Sequence, residues 1–322
     1  MPKRKADGKR PTMRELSEIT GLSTAAVSYA LRGQRVSART EARVRAAAER
    51  IGFRADPIAT ALRGGRTNLI GVVGGSLADH WHQEFVAHLG RALRERGLAL
   101  LLADAGGDPA AELELAENLA ERRADGLIVL PLDPSSPRWH AIAAAVPTVS
   151  VNDALPAPAR AIRFLTGDGV SMALDHLEAL GHRRVAVLGD TPHVIPRRAG
   201  RRRVRCGRSA ADARAAVLRE LARRPPPTAI FALSDTMAYG AYQACREAGA
   251  RIPRDVSVIG FDDHPISALL DPPLSSVAWD TAGAALAAVE ALVESIDGEN
   301  QSPGEQPIRP TLRVRGSTGP VS

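Results

Sequence analysis

Asp79 and Trp81 place a carboxylate and an indole ring two residues apart, shortly after the apolar run 69–73. Asp262 follows a second apolar run, and Trp279 ends a third. A carboxylate accepts two hydrogen bonds from neighbouring hydroxyl groups, while an indole face stacks on the C–H face of a sugar ring. These residue types therefore predict a binding site for a sugar-like or nucleoside-like molecule.

Three further polar residues, Ser76, Asn152 and Ser234, also follow apolar runs and are candidates for the same site. For Asp262 and its neighbour Asp263 a structural role remains open, because aspartate is common at helix N-caps and in turns.

Sequence motifs of common enzyme classes are absent from the chain. The segment GVVGGS at 71–76 lacks the G-x-G-x-x-G pattern, and no Walker, G-x-S-x-G or HExxH motif occurs. His80 and His82 are two residues apart without a cysteine nearby, which favours surface histidines over a metal site. We therefore expect a binding protein, with no metal and no cofactor, although a nucleotide-binding enzyme is the main rival class.

The candidate binding residues belong to a long region in which apolar runs alternate with helical periodicity. Strands are predicted at 69–73, 99–104, 126–132, 148–151, 184–189, 229–233, 256–261 and 275–279, and helices at 83–96, 109–122, 170–180, 209–224, 235–248 and 281–296. Apolar strands separated by helices predict parallel sheets covered on both faces. The length allows two such lobes, and ligands of α/β sheets bind at the carboxyl ends of the strands. We therefore expect the site to lie in a cleft between the lobes.

Charge divides the chain into a basic head and a nearly neutral body. Residues 1–66 carry a net charge of +9, whereas the remainder carries −3. A basic module joined to a neutral one is typical of nucleic-acid binding, although a solvated basic tail is an alternative.

The basic head contains three predicted short helices. Thr12 and Glu15 form a capping box, Gly21 ends the first helix, and Ser23 and Ser37 are N-cap candidates for the other two. The second helix has an apolar stripe of Ala26, Val27, Ala30 and Leu31, and the third has Val44, Ala47, Ala48 and Ile51. Two helices joined by a tight turn predict a helix-turn-helix, although a plain three-helix cap domain remains open.

In a helix-turn-helix, the outer face of the second helix enters the DNA major groove. Thr24, Ala25, Ser28 and Tyr29 occupy that face here and are the candidates for contact with base edges. Arg14, Arg32, Arg35 and Arg39 are placed to neutralise phosphates, which positions the protein without specifying a sequence.

The chain resembles the LacI/GalR family of bacterial transcriptional repressors. The motifs that carry the resemblance are TMRELSEITGLSTAAVSYALRG, VSARTEARVRAAAERIGFRADPIATALRGGRTNLIGVV, LGHRRVAVLG, PTAIFALSDTMAYGA and DVSVIGFDDHPISALLDPPLSSV, in the family's order along nearly the whole chain. The resemblance implies an all-α helix-turn-helix domain (lambda-repressor-like) followed by an α/β two-lobed, periplasmic-binding-protein-like (type I) domain. The corresponding boundaries are a basic tail at 1–11, a DNA-binding domain at 12–55, a hinge at 56–67 and an effector-binding and dimerisation domain at 68–322.

The resemblance also implies partners and residue roles. Two hinge helices of a homodimer would lie in the minor groove of a near-palindromic double-stranded DNA operator, with Leu62 as the wedge and Ala59 as a second contact. Without DNA, a poorly ordered linker is the alternative. Asp56, Tyr29 and Arg32 differ from the residues usual in the family, which leaves the operator sequence open. Asp79, Trp81, Asn152, Ser234, Asp262 and Trp279 match positions that contact a small-molecule effector.

The segment at 190–227 departs from the family pattern. It is short, and residues 197–208 include seven arginines. We expect the second lobe to lack one edge strand and to have a mobile basic loop instead, with effector binding weakened or absent. Arg197 or Arg198 could replace the family's pocket arginine, and a second DNA contact by the basic run is a less favoured alternative.

Two cysteines and the lack of a long apolar run predict a cytoplasmic, nucleoid-associated protein that does not span a membrane. A periplasmic sugar-binding protein is a further rival, since it would share the body. It would require a signal peptide, however, and the basic N-terminus is not followed by an apolar stretch.

Overall fold

The structure is a computed structural model, and it describes residues 11–31, 33, 36–53, 66–77, 79–189, 200–298 and 307–321. The chain divides into two compact units, one ending at Thr67 and the other beginning at Asn68. We call them the headpiece and the body.

Within its described residues, the headpiece contains three helices, α1 (Met13–Thr20), α2 (Thr24–Leu31) and α3 (Ala38–Ile51). Thr12 and Glu15 form the predicted capping box, and the Ser37 side chain accepts from the backbone N–H of Thr40. Gly21 ends α1 with φ of 64°, a left-handed conformation that glycine adopts without steric cost. The turn from α1 to α2 is therefore only three residues long.

Small apolar side chains hold these helices together. Leu16, Val27, Ala30 and Val44 are fully buried, and Ala47 and Ala48 are nearly so. The guanidinium of Arg43 on α3 donates to the backbone carbonyl of Thr20 at 2.9 Å. The stripe predicted for α2 thus packs against its neighbours, which leaves the opposite face of α2 outward.

The first lobe of the body is a parallel five-stranded sheet with helices on both faces. Its strands are β1 (Leu69–Gly74), β2 (Ala99–Asp104), β3 (Gly126–Val129), β4 (Thr148–Val151) and β5 (Arg160–Ile162), in the order β2-β1-β3-β4-β5. Its helices are α4 (His80–Glu95), α5 (Pro109–Glu121), α6 (Arg138–Ala145) and, from the end of the chain, α10 (Thr281–Asp297).

The second lobe is built around a six-stranded sheet. Its strands are β6 (Val185–Leu188), β7 (Arg201–Val204), β8 (Ala229–Ala232), β9 (Ser257–Asp262), β10 (Ser275–Ala278) and β11 (Thr311–Arg313), in the order β11-β10-β9-β8-β6-β7. Only β11 is antiparallel to its neighbour. The helices are α7 (Thr166–Ala179), α8 (Ala210–Leu221), α9 (Asp235–Glu247) and the 3-10 helix Pro265–Leu269.

The expectation that the second lobe lacks an edge strand is wrong. β7 forms that edge and pairs in parallel with β6 from Val185 to Leu188. The arginines of β7 are held by acidic partners: Arg201 contacts Glu178 at 3.1 Å, and Arg202 contacts the buried Glu220 at 3.0 Å. Residues 190–199, with Arg197 and Arg198, lie outside the described residues.

The chain crosses between the lobes three times, and the crossovers meet. Phe164, on the first crossover, forms a β-bridge with Ile308 on the third. The Phe164 ring also packs edge-on against Trp279 on the second crossover, with centroids 5.1 Å apart. This junction forms the floor of the space between the lobes.

Candidate effector site and DNA-recognition helix

A cavity of about 350 Å³ lies between the two lobes of the body. Residues from both lobes line it: Asp79, Trp81, His82, Leu130, Pro131, Leu132, Val151, Asn152, Asp153, Phe164, Thr166, Val170, Arg208, Leu233, Phe261, Asp262 and Trp279. Five of the seven effector candidates from the sequence are among them: Asp79, Trp81, Asn152, Asp262 and Trp279. The volume is sufficient for a small ligand.

The other two candidates, Ser76 and Ser234, are not among the residues that line the cavity. Ser234 is buried, and its hydroxyl caps α9 by accepting from the backbone N–H of Met237 at 3.3 Å. Asp263 also has a structural role, because its carboxylate forms an ion pair with Arg315 at 2.6 Å.

An ion pair joins the two lobes at the cavity. Nη2 of Arg208, which precedes α8 in the second lobe, donates to Oδ2 of Asp79 at 2.7 Å, and the other carboxylate oxygen of Asp79 accepts from the backbone N–H of Trp81. Burial alone would raise the pKa of Asp79, but the charge and hydrogen bond of Arg208, together with His82 and the Trp81 backbone N–H, hold that pKa below its usual range. Asp79 is therefore ionised, with both oxygens already engaged.

Asp262 has a different electrostatic environment. Burial raises its pKa well above the usual range, and the nearby carboxylates of Asp79 and Asp235 act in the same direction. Arg208 and a hydrogen bond from the Trp279 side chain oppose this rise without cancelling it. Asp262 can therefore present a neutral carboxyl group, which both donates and accepts, next to an ionised Asp79.

Two polar residues of the cavity wall have left-handed backbone conformations. Asn152 has φ of 76° and Asp262 has φ of 99°, and neither is a glycine. Such conformations cost about 1–3 kcal/mol each and persist where the surrounding structure enforces them, often at functional sites. The Asn152 side chain donates to Asp153 at 3.0 Å and accepts from Thr166 at 3.3 Å.

Aromatic rings contribute to the apolar part of the cavity, together with aliphatic side chains. Trp81 stacks on Phe85 at 5.2 Å and meets Phe164 edge-on at 5.4 Å, while Trp279 meets Phe261 edge-on at 5.5 Å. Within the described residues, Trp81 Nε1 and His82 Nδ1 are buried and have no hydrogen-bond partner. The cavity thus combines ring faces with a few polar groups, as sugar-binding sites do.

Arg208 was not among the site residues predicted from the sequence, and Arg197 and Arg198 were named as possible replacements for the family's pocket arginine without an assignment. His82 and Thr166 were not predicted as site residues either. The signal for Arg208 was weak, because it is the last of seven arginines in a short stretch and its partner Asp79 is 129 residues away. Only the tertiary fold brings the two together.

The recognition candidates of α2 share its outer face. Thr24 and Ala25 are exposed, and Ser28 and Tyr29 are half-buried, whereas Val27 and Ala30 point into the core. The phosphate candidates Arg14, on α1, and Arg39, at the start of α3, are also exposed. Arg32, Arg35, Asp56, Ala59 and Leu62 lie outside the described residues.

Two further sequence features have defined surroundings. His80 Nδ1 lies 3.1 Å from the Thr236 hydroxyl, and its ring packs against that of His264. In the described part of the chain, no group of three His, Cys, Asp or Glu side chains could hold a metal ion. The helices that the structure describes are all too short or too polar to cross a membrane.

A helical headpiece with an outward second helix, joined to a two-lobed α/β body with a central cavity, defines a ligand-responsive transcriptional regulator.

A periplasmic-binding-protein-like domain family matches residues 174–318. HTH-type transcriptional regulator reg1 of Streptomyces lividans is 32% identical, over 94% of this chain and 95% of its own. The Lac repressor dimer bound to operator and the anti-inducer ONPF has a TM-score of 0.84 and 27% identity, over 97% and 100%. The transcriptional regulator CelR in complex with cellobiose has a TM-score of 0.68 and 26% identity, over 96% and 100%. The chain belongs to the LacI/GalR family.

Proposed function

We propose that this protein is a homodimeric repressor that binds a near-palindromic DNA operator through its headpieces and binds a sugar-like or nucleoside-like effector in the body. In this proposal residues 12–55 bind the major groove, 56–67 form the hinge and 68–322 form the effector and dimerisation domain. The DNA contacts are those predicted from the sequence, including Arg32, Ala59 and Leu62. Its relatives are named as transcriptional regulators rather than enzymes, which favours a cytoplasmic protein acting on the chromosome.

The effector would act through the angle between the lobes. The cavity is lined from both lobes, so a ligand that contacts both stabilises one closure angle over others. In a dimer, a change in that angle changes the spacing of the two DNA-binding units, and the affinities for effector and operator become coupled.

We infer the effector role from the polar groups that line the cavity together with its aromatic residues. Asp79, Arg208, Asp262 and Asn152 surround Trp279 within one cavity. Since Arg208 neutralises Asp79 and Asp262 tends to be neutral, a neutral polyhydroxyl compound fits the charge of these groups. We expected weakened effector binding because the sequence predicted a missing edge strand. Since β7 forms that edge, this reason no longer applies.

A thermal-shift screen tests the effector role. We expect cellobiose, D-ribose or adenosine, used as probes at millimolar concentration, to raise the melting temperature saturably by several degrees. Trp279→Ala should abolish the shift because it removes the stacking face, whereas Val314→Ala, at an exposed position that does not line the cavity, should preserve it. Identical melting curves with all three compounds and with a wider set of sugars and nucleosides would refute the proposal.

The dimer surface that we propose is formed by the helical stretches 83–96 and 239–250 and by the segment 264–274. Within it, Leu269 is 82% exposed and Ile266 is 43% exposed in the present single chain. Leu269→Asp should weaken dimerisation by at least a hundredfold, because a charge would be buried without a partner. Light scattering after size-exclusion chromatography measures this. Val314→Asp is the matched control, since Val314 is also an exposed apolar residue but lies outside the proposed surface; a dimeric Leu269→Asp protein would contradict the assignment.

A further inference from the structure

Glu112 on α5 is a carboxylate with no solvent exposure. Its oxygens Oε1 and Oε2 accept from the backbone N–H of Leu132 at 3.1 and 3.0 Å, and the backbone N–H of Asp133 donates to the same group. In the described part of the chain no ion pair joins Glu112 to a basic side chain. Its partners are thus the backbone of one loop, which follows β3.

That loop is a wall of the effector cavity. Leu130, Pro131 and Leu132 all line it. Cδ2 of Leu132 lies so close to the backbone after β1 that a Cβ on Gly75 would be 2.7 Å from it. The segment that follows Gly75 carries Asp79. A displacement of Leu132 would therefore also move residues on the Asp79 side of the cavity.

We propose that Glu112 is a positioning residue of the effector cavity: its charged carboxylate holds the wall segment 130–133 in place, and protonation of that carboxylate releases it. This inference rests on the proposed effector role of the cavity. Protonation removes the negative charge and places a hydrogen on one of the two oxygens, so the backbone N–H groups lose a charge-assisted acceptor and keep only weaker, neutral ones.

The surroundings of Glu112 raise the pKa of its carboxyl group into the physiological pH range. Burial raises the pKa of Glu112 to about 7, although the N–H groups of Leu132 and Asp133 oppose the rise, and the Asp133 side chain adds to it. Around it, β1 and β3 carry no titratable side chain, and Asp108 caps α5. On α6, Arg138 pairs with Glu117, and His140 Nδ1 lies 2.6 Å from the Ala157 carbonyl oxygen. Glu114 and Glu121 on α5 are exposed.

Amide hydrogen exchange of the effector-free protein tests the proposal directly. With rates corrected for the intrinsic effect of pH, we expect the Leu132 and Asp133 amides to exchange about tenfold faster at pH 6 than at pH 8, which is the loss of one hydrogen bond to a charged group. Glu112→Gln should exchange fast at both pH values. Glu114→Gln removes an exposed charge from the same helix and should behave like the wild-type protein.

Wild-type exchange that is equally slow at both pH values would overturn the inference, as would the same pH difference in Glu112→Gln. If that variant does not fold, Gly75→Ala provides a second comparison. It moves the end of the Leu132 side chain and leaves the Leu132 N–H and the Glu112 carboxylate in place, so we expect the wild-type pH difference to be retained; loss of that difference would count against Glu112. No effector is used, so these outcomes are independent of the thermal-shift screen.

Discussion

Replacing Thr24, Ser28 and Tyr29 together by alanine will reduce operator affinity by about a thousandfold while leaving affinity for unrelated DNA nearly unchanged. These side chains occupy the outer face of α2, and a good base contact is worth about 1–3 kcal/mol. Val27 and Ala30, which pack the headpiece, are untouched. Fluorescence anisotropy with the selected operator and with a scrambled duplex measures both affinities.

Arg14→Ala and Arg39→Ala are the matched controls. Both residues are exposed arginines of the headpiece, and in this account they contact phosphates. Each should weaken operator and scrambled DNA alike and lower the slope of log K against log salt by about one. If the triple-alanine variant also loses both kinds of binding equally, α2 does not read the bases.

Asp235→Ala will destabilise the body by about 3–5 kcal/mol, since it strips a buried acceptor from several donors. The Asp235 carboxylate is 2% exposed and accepts from the Ser276 hydroxyl at 2.6 Å, from the His264 backbone N–H at 2.8 Å and from the Ser267 hydroxyl. These bonds join the start of α9 to β10 and the 3-10 helix. Urea unfolding followed by circular dichroism measures the free energy of unfolding.

Asp235→Asn separates the loss of the acceptor from the loss of charge. Burial raises the pKa of Asp235 to about 6. A raised pKa means that the neutral acid stabilises the fold below about pH 4, and that this contribution is lost as the pH rises through 6. The asparagine variant should lack that pH dependence and be destabilised less than the alanine variant. Glu121→Ala, at an exposed position on α5, should change stability by no more than about 0.5 kcal/mol. A similarly small effect of Asp235→Ala would contradict the role of this network.

Elements with strong local signals were predictable from the sequence. The strands at 99–104 and 148–151 have the bounds expected for them, and the capping box of Thr12 and Glu15 is present. Each of these elements is determined by residues that are close together in the sequence, namely consecutive apolar residues for the strands and the two capping residues for the helix. Five effector candidates line one cavity because the carboxyl ends of parallel strands point the same way.

The elements that were missed depend on distant partners. β7 has only Val204 buried, and its arginines require Glu178 and Glu220 from α7 and α8, so no apolar pattern marks it as a strand. β5 and β11 are three residues long and lie at sheet edges. Arg208 enters the cavity for the same kind of reason, because its partner Asp79 belongs to the other lobe.

Selection of bound sequences from random double-stranded DNA, with and without the effector found in the thermal-shift screen, tests whether this protein is an effector-controlled, operator-specific repressor. We expect the protein to enrich one inverted repeat, its affinity for this repeat to fall steeply with salt, and the effector to change that affinity. Enrichment of no sequence, with equal binding to all duplexes, would exclude this function.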